Sequence, residues 1–158
     1  MRMSRRIAAV AALGALIMGF RRYRRWHLQW GATDDEARRF LPGDELIEDP
    51  HFAPTRAMTI DAAPEAVWPW LVQIGYGRAG SKPASSWAWV LERLPGERTR
   101  LITRVRMRYR WRRPTVVADL VLMELGDFWM MRKELRSIGE RAEHETSTAA
   151  RVAGGGGV

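Results

Sequence analysis

The 158-residue chain has the length of one domain with extensions, and it contains no cysteine, which excludes a disulfide framework, a thiolate nucleophile and cysteine-ligated zinc. Its net charge of +8 comes from 26 basic and 18 acidic residues, but seven arginines and no acid lie in residues 1–25, leaving 19 basic residues against 18 acidic ones elsewhere. The excess flanks an apolar segment, which points to a membrane rather than to nucleic acid.

That segment runs from Ile7 to Phe20 between Arg5–Arg6 and "RRYRR". As a helix its 14 residues would cover roughly 21 Å, against a hydrocarbon core of roughly 30 Å. Snorkelling arginines and local thinning recover part of the difference. No small-residue cleavage site follows Phe20, so an uncleaved anchor is expected over a cleaved signal or a soluble amphipathic helix. Three arginines and the amino group precede the run and four arginines follow it. This near balance leans toward a cytoplasmic body on a single-pass or membrane-associated protein.

Residues 26–50 follow, "WHLQWGATDDEARRFLPGDELIEDP". Thr33 and Glu36 have the spacing of a capping box and open a short helix that Pro42 and Gly43 stop. Asp34, Asp35, Asp44, Glu45, Glu48 and Asp49 match no calcium loop or His-carboxylate spacing. They are read as first-turn acids that complement the helix dipole and as polar loop residues, with no metal expected.

The stretch Met58–Gly80 reads as strand, helix and glycine-rich loop. Met58 and Ile60 alternate with Thr59 and Asp61, as on a half-buried strand. Pro64 suits a first helical position, and Val67, Trp70, Leu71 and Ile74 then share one helical face. Pro69 is expected to kink this helix, and Gly75, Gly77 and Gly80 to end it. After the loop "SKPASS", the segments "WAWVLERL" and "TRLITRVRMRYRW" flank "PGER" as a hairpin. In its second strand Leu101, Thr103, Val105, Met107, Tyr109 and Trp111 alternate with Arg100, Ile102, Arg104, Arg106, Arg108 and Arg110. The apolar side is expected to pack on a helix and the arginines to stay solvated. A loop of residues 95–98 pairs Trp87 and Trp89 beside the arginines, whereas a one-residue bulge turns them inward. The last element is predicted helical from about Val116 to Ala142. Its stripe comprises Val117, Val121, Leu125, Phe128, Met131, Leu135, Ile138 and Ala142, and it must bury that stripe on a sheet. From His144 the composition predicts a disordered tail.

The order of these elements resembles the helix-grip fold of the START-like (SRPBCC, polyketide cyclase/dehydrase and lipid-transport) superfamily. "WHLQWGAT", "LPGDELI", "TIDAAPEAVWPWLVQIGYGRAG", "SWAWVLERL" and "DFWMMRKELRSIGERAE" look like a bacterial membrane-associated branch of it. The resemblance covers roughly Trp26–Glu143. It implies an α+β domain over residues 26–143 whose small antiparallel sheet packs on a long C-terminal helix, between an apolar helix in residues 1–25 and a tail at 144–158. It also implies a hydrophobic small molecule or lipid bound between helix and sheet, with Trp70, Ile74, Val105, Met107, Tyr109, Phe128, Met131 and Leu135 as the expected lining and no cofactor. Members of the superfamily carry several further strands and a second short helix where only Ser81–Ser86 stand here, a deficit on the order of 50 residues. The helix grip is therefore expected to be incomplete, leaving part of the long helix's apolar surface open to the bilayer or to a second copy of the chain.

An enzyme, such as a cyclase acting on polyketide-like substrates, is the alternative. It needs acid/base groups in the cavity. His27, His51 and His144 are scattered, and only Asp127 sits beside the apolar stripe. A small basic nucleic-acid module is the third reading. It is disfavoured because arginines and aromatics alternate between opposite faces of the strand, while base stacking requires them together.

Overall fold

The structure, a computed structural model, describes residues 2–73, 85–108 and 116–154. The chain is α+β. In order it forms α1 (Arg2–Leu28), α2 (Asp34–Arg38), a 3-10 turn (Asp44–Leu46), β1 (Thr55–Ile60), α3 (Pro64–Val72), β2 (Ser85–Leu94), β3 (Arg98–Met107) and α4 (Val116–Gly154). The sheet is antiparallel in the order β1-β3-β2, with β3 in the centre.

One face of this sheet carries α4, as the alternation in β3 predicts. Leu101 is buried with Ile60 of β1, Val67 and Leu71 of α3, and Leu135, Ile138 and Ala142 of α4. Phe128 and Met131 continue the buried stripe, while Leu125 is exposed; the side chains of Val117 and Val121 lie outside those described. Helix α3 begins at Pro64 and continues past Pro69 to Val72, although a proline inside the helix removes one backbone hydrogen bond. Ile74, the glycine loop, Tyr109 and Trp111 lie outside the described residues.

The hairpin turn decides which way the tryptophans point. Leu94 pairs with Arg98, so the loop has three residues, Pro95 to Glu97, and not four. Gly96 (φ 79°) and Glu97 (φ 52°) both take left-handed conformations to close it. This one-residue change in register sets Trp87 opposite Val105 and Trp89 opposite Thr103, on the α4 face. The tryptophans therefore stand away from the arginines, against the expectation for a four-residue loop.

The second face of the sheet is not solvated, and here the expectation fails. Ile102 is fully buried with Ala57 and Leu41 beneath the segment that precedes β1. Arg100, Arg104, Arg106 and Arg108, which share the parity of Ile102, hold that segment down. Arg104 is 5% exposed and uses all five of its donors: Nε to Thr55 Oγ1, Nη1 to Arg39 O and Asp44 Oδ2, and Nη2 to Glu36 O and Ala37 O. Glu36 O, Ala37 O and Arg39 O are carbonyls at the open C-terminal end of α2, so a strand arginine serves as that helix's cap. Arg100 makes a forked pair with Glu36 at 2.7 and 2.8 Å and also donates to Gly31 O. Arg106 donates to Ile47 O and Glu48 O and lies 3.3 Å from Asp44 Oδ1. Asp44, expected in a polar loop, is thus a buried counter-ion between two arginines.

Glu36 also closes the capping box: its N–H donates to Thr33 Oγ1, and Thr33 N–H donates to its carboxylate. Gly31 lets the segment cross β1. Its φ is +74°, and a Cβ there would stand 2.0 Å from Ala57 O, so only glycine fits.

The two long helices extend beyond this body. α4 continues to Gly154, past the expected end near Ala142 and through the segment expected to be a tail. Glu, Ala and Arg sustain it, and the Thr146, Ser147 and Thr148 hydroxyls bond back to Ala142 and His144 carbonyls. In α1 every residue from Arg6 to Tyr23 is exposed, including all of the apolar run. Among the described residues no helix is long and apolar enough to cross a membrane, so the expected single-pass span is not supported.

Two measurements test the arginine face. Arg104→Met takes away one of Asp44's two arginines and the side-chain donor of three carbonyls at the end of α2, and is expected to cost about 3 kcal/mol in urea unfolding, whereas Arg108→Met, at an exposed pair, costs less than about 1 kcal/mol. The second concerns acid. Hydrogen bonding from Arg100 holds the Glu36 carboxyl down to about 2, from an ordinary value of 4.5. A carboxyl lowered on folding stabilises the folded state above its ordinary value and loses that contribution as pH falls through the window from 4.5 to about 2. The urea midpoint should fall through that window, and the fall should be shallower in Glu36→Gln.

Candidate functional site

On the α4 side, alternate β3 residues Val105 and Met107 face the sheet side of the helix. With Trp87 of β2 and Leu122, Met130 and Met131 of α4 they line an open cavity of about 440 Å³. Its size lies within the range of small-molecule sites, and its walls are mainly apolar and aromatic. Trp87 is held at its rim by a 2.8 Å hydrogen bond from Nε1 to Thr103 Oγ1 and by Trp89, whose ring lies 5.1 Å away. Gly126 forms part of the helix wall, and a Cβ added there would meet nothing within 4 Å. Ser85, Ser86 and Asp127 contribute the polar atoms.

Asp127 is the one carboxylate among these lining residues, and it is already engaged. Arg56 of β1 is 1% exposed and shares the α4 face, paired across from Thr103. Its Nη2 lies 2.7 Å from Asp127 Oδ2, an ionic contact off the alignment of a hydrogen bond, and its Nε donates to His27 O at the end of α1. The guanidinium also lies over the Phe128 ring at 5.8 Å. Beside it His27 Nδ1 meets Tyr23 O, and Nε2 stands 3.6 Å from Glu124, which Arg24 grips with two hydrogen bonds. This cluster joins α1, β1 and α4. A buried arginine demands a counter-ion, and Asp127 supplies it, which accounts for a carboxylate beside an apolar stripe.

The expected lining residues divide among three places. Val105, Met107 and Met131 come together at the cavity. Phe128 is instead enclosed by Trp26 at 5.3 Å and His27 at 5.9 Å, where it packs the end of α1. Leu135 is fully buried in the core, and Trp70 stacks beneath Arg141 in a groove between α3 and α4. Ile74 and Tyr109 lie outside the described residues. Trp87, Leu122 and Met130 are the large apolar lining residues that sequence reasoning missed; the parity of Trp87 rests on hairpin loop length, and Leu122 and Met130 each lie one position off the stripe. The histidines do not converge. His27 belongs to the buried cluster, His51 is on the exposed approach to β1, and His144 is on the exposed part of α4. Among the described residues no group of three or more His, Asp or Glu side chains is gathered closely enough to hold a metal ion.

No protein family, curated protein or solved structure matches the chain.

The pairing of Arg56 with Asp127 can be checked by a double-mutant cycle. Asp127→Leu alone strands a buried guanidinium and should cost about 3–5 kcal/mol in urea unfolding, whereas Arg56→Met with Asp127→Leu should recover most of that loss.

Proposed function

We propose that the chain is a membrane-associated, START-like module that holds a hydrophobic small molecule or lipid between its sheet and α4, in an incomplete helix grip. The observation that carries this reading is the apolar cavity of about 440 Å³ between Val105 and Met107 on one side and Met130 and Met131 on the other. The arrangement around it supports the same reading: a strand and a short helix precede an antiparallel hairpin, and a long C-terminal helix lies across one sheet face. Burial of apolar ligand surface supplies the affinity, at about 25 cal/mol per Å², and Trp87, Ser85 and Ser86 at the rim give orientation.

Association with the membrane comes through residues 7–20. They are apolar, exposed on all sides and flanked by arginines that suit anionic headgroups. A cyclase-like activity is the less favoured reading, because the one carboxylate at the cavity serves as the counter-ion of Arg56.

Titration of the full-length chain with a fluorescent fatty acid tests the site. One ligand per chain is expected. Gly126→Leu places a side chain in open space within the cavity without breaking the helix and should weaken binding about tenfold or more, whereas Trp70→Ala, outside the cavity, leaves it unchanged. Equal binding by wild type and Gly126→Leu would refute the assignment.

A further inference from the structure

The N-terminal half of α4 carries a large apolar surface that the sheet does not cover. Leu122, Leu125, Trp129 and Met130 are all exposed, Trp129 by 66%. Isolated exposed apolar residues are ordinary, but a contiguous group of this size marks a contact surface. The group does not stand alone. Tyr23 and Trp26, the exposed aromatics at the inner end of α1, continue it through ring contacts: Tyr23 to Trp26 at 6.0 Å, Trp26 to Phe128 at 5.3 Å and Phe128 to Trp129 at 5.8 Å. Two helices far apart in sequence thus share one aromatic row, and the Arg24–Glu124 and His27–Glu124 contacts fix them together beside it.

Two features of this row specify its occupant. At one end it joins the exposed apolar run of α1, which no described element covers. At its flank Arg21 and Arg22 are exposed and make no ion pair among the described residues, and they line a cleft of about 750 Å³ with Arg24, Arg25, Met18 and Leu28. Along α1 the apolar run is followed at once by the unpaired Arg21 and Arg22 and by the amphipathic Tyr23 and Trp26, groups that suit a bilayer's hydrocarbon, its anionic headgroups and its interface.

We infer that the Tyr23–Trp26–Trp129 row, with Leu122, Leu125 and Met130, is a bilayer-docking surface that lays the N-terminal half of α4 on an anionic membrane beside the inserted α1. This inference rests on the membrane association proposed above and adds a second contact and a fixed orientation to it. Leu122 and Met130 belong both to this surface and to the wall of the 440 Å³ cavity, so the cavity opens toward the lipid and takes a ligand already dissolved there.

The absence of native cysteine makes the test direct. The full-length variants W129C and W68C, the second at an exposed position of α3, each carry one environment-sensitive fluorophore and are mixed with vesicles of phosphatidylcholine alone or with phosphatidylglycerol. On the anionic vesicles the W129C probe should shift to the blue and be quenched by nitroxides at the lipid interface, while the W68C probe should not. Binding should weaken with salt, and an unlabelled Trp129→Ser variant should partition about tenfold less strongly, the order expected on losing one large side chain from apolar surroundings. If the chain binds vesicles while the W129C probe stays in water, the docking surface is refuted and membrane association through α1 stands. If no vesicle is bound, both fail. A concentration-dependent shift of the W129C probe without lipid shows a second copy of the chain on the patch and overturns the inference.

Discussion

β3 is the central strand, flanked on both edges, and one of its faces bears Arg100, Arg104 and Arg106 around the buried Ile102. A buried arginine is tolerable only when its charge is opposed and its donors are met, so that face requires a covering layer rich in carboxylates and free carbonyls. The segment between α1 and β1 meets the requirement. Glu36 and Asp44 supply the charge, and the end of α2 and the loop after the 3-10 turn supply the carbonyls. The same contacts satisfy backbone groups that a five-residue helix could not satisfy within itself. Strand and covering segment therefore complete each other, and neither face of the sheet is left as a bare polar surface.

A second buried guanidinium, Arg56, organises the opposite face. By pairing with Asp127 and reaching His27 O, it ties α4 and the end of α1 to the edge strand β1. The aromatic contacts of Phe128 with Trp26 and His27 lie beside this cluster. The apolar run of α1 accordingly enters the body as the start of a helix whose last turns are packed, rather than through a flexible linker. The body thereby has a fixed orientation relative to α1.

The cavity sits where the sheet and α4 diverge. Near Leu101 and Leu135 they are in full contact, and the site is solid core. Toward Val105, Met107 and Met131 the packing opens, and the adjacent turn of α4 bears Met130 outward. A three-stranded sheet covers one side of a long helix and leaves the other side available. In this chain that uncovered side is aromatic and lies beside the arginine-flanked helix.

The sequence by itself determined the order of the elements from α2 onward and the inner faces of β3, α3 and the middle of α4. The Thr33–Glu36 capping box, Pro64 at a helix start, the period-two alternation of β3 and the spacing of Phe128, Met131, Leu135, Ile138 and Ala142 are local patterns, and local geometry follows from them. Three of the expected cavity residues, Val105, Met107 and Met131, were legible for the same reason. What covers the other face was not legible, because an arginine on an amphipathic strand reads alike whether its partner is water or a buried carboxylate many residues distant. Arg104 and Asp44 became a pair only when the chain folded back. Trp87 was decided by a single residue of turn length, which reverses every side chain of a strand. The placement of Phe128 with α1, and of Asp127 with Arg56, likewise depended on which helices met, and that is a property of tertiary packing.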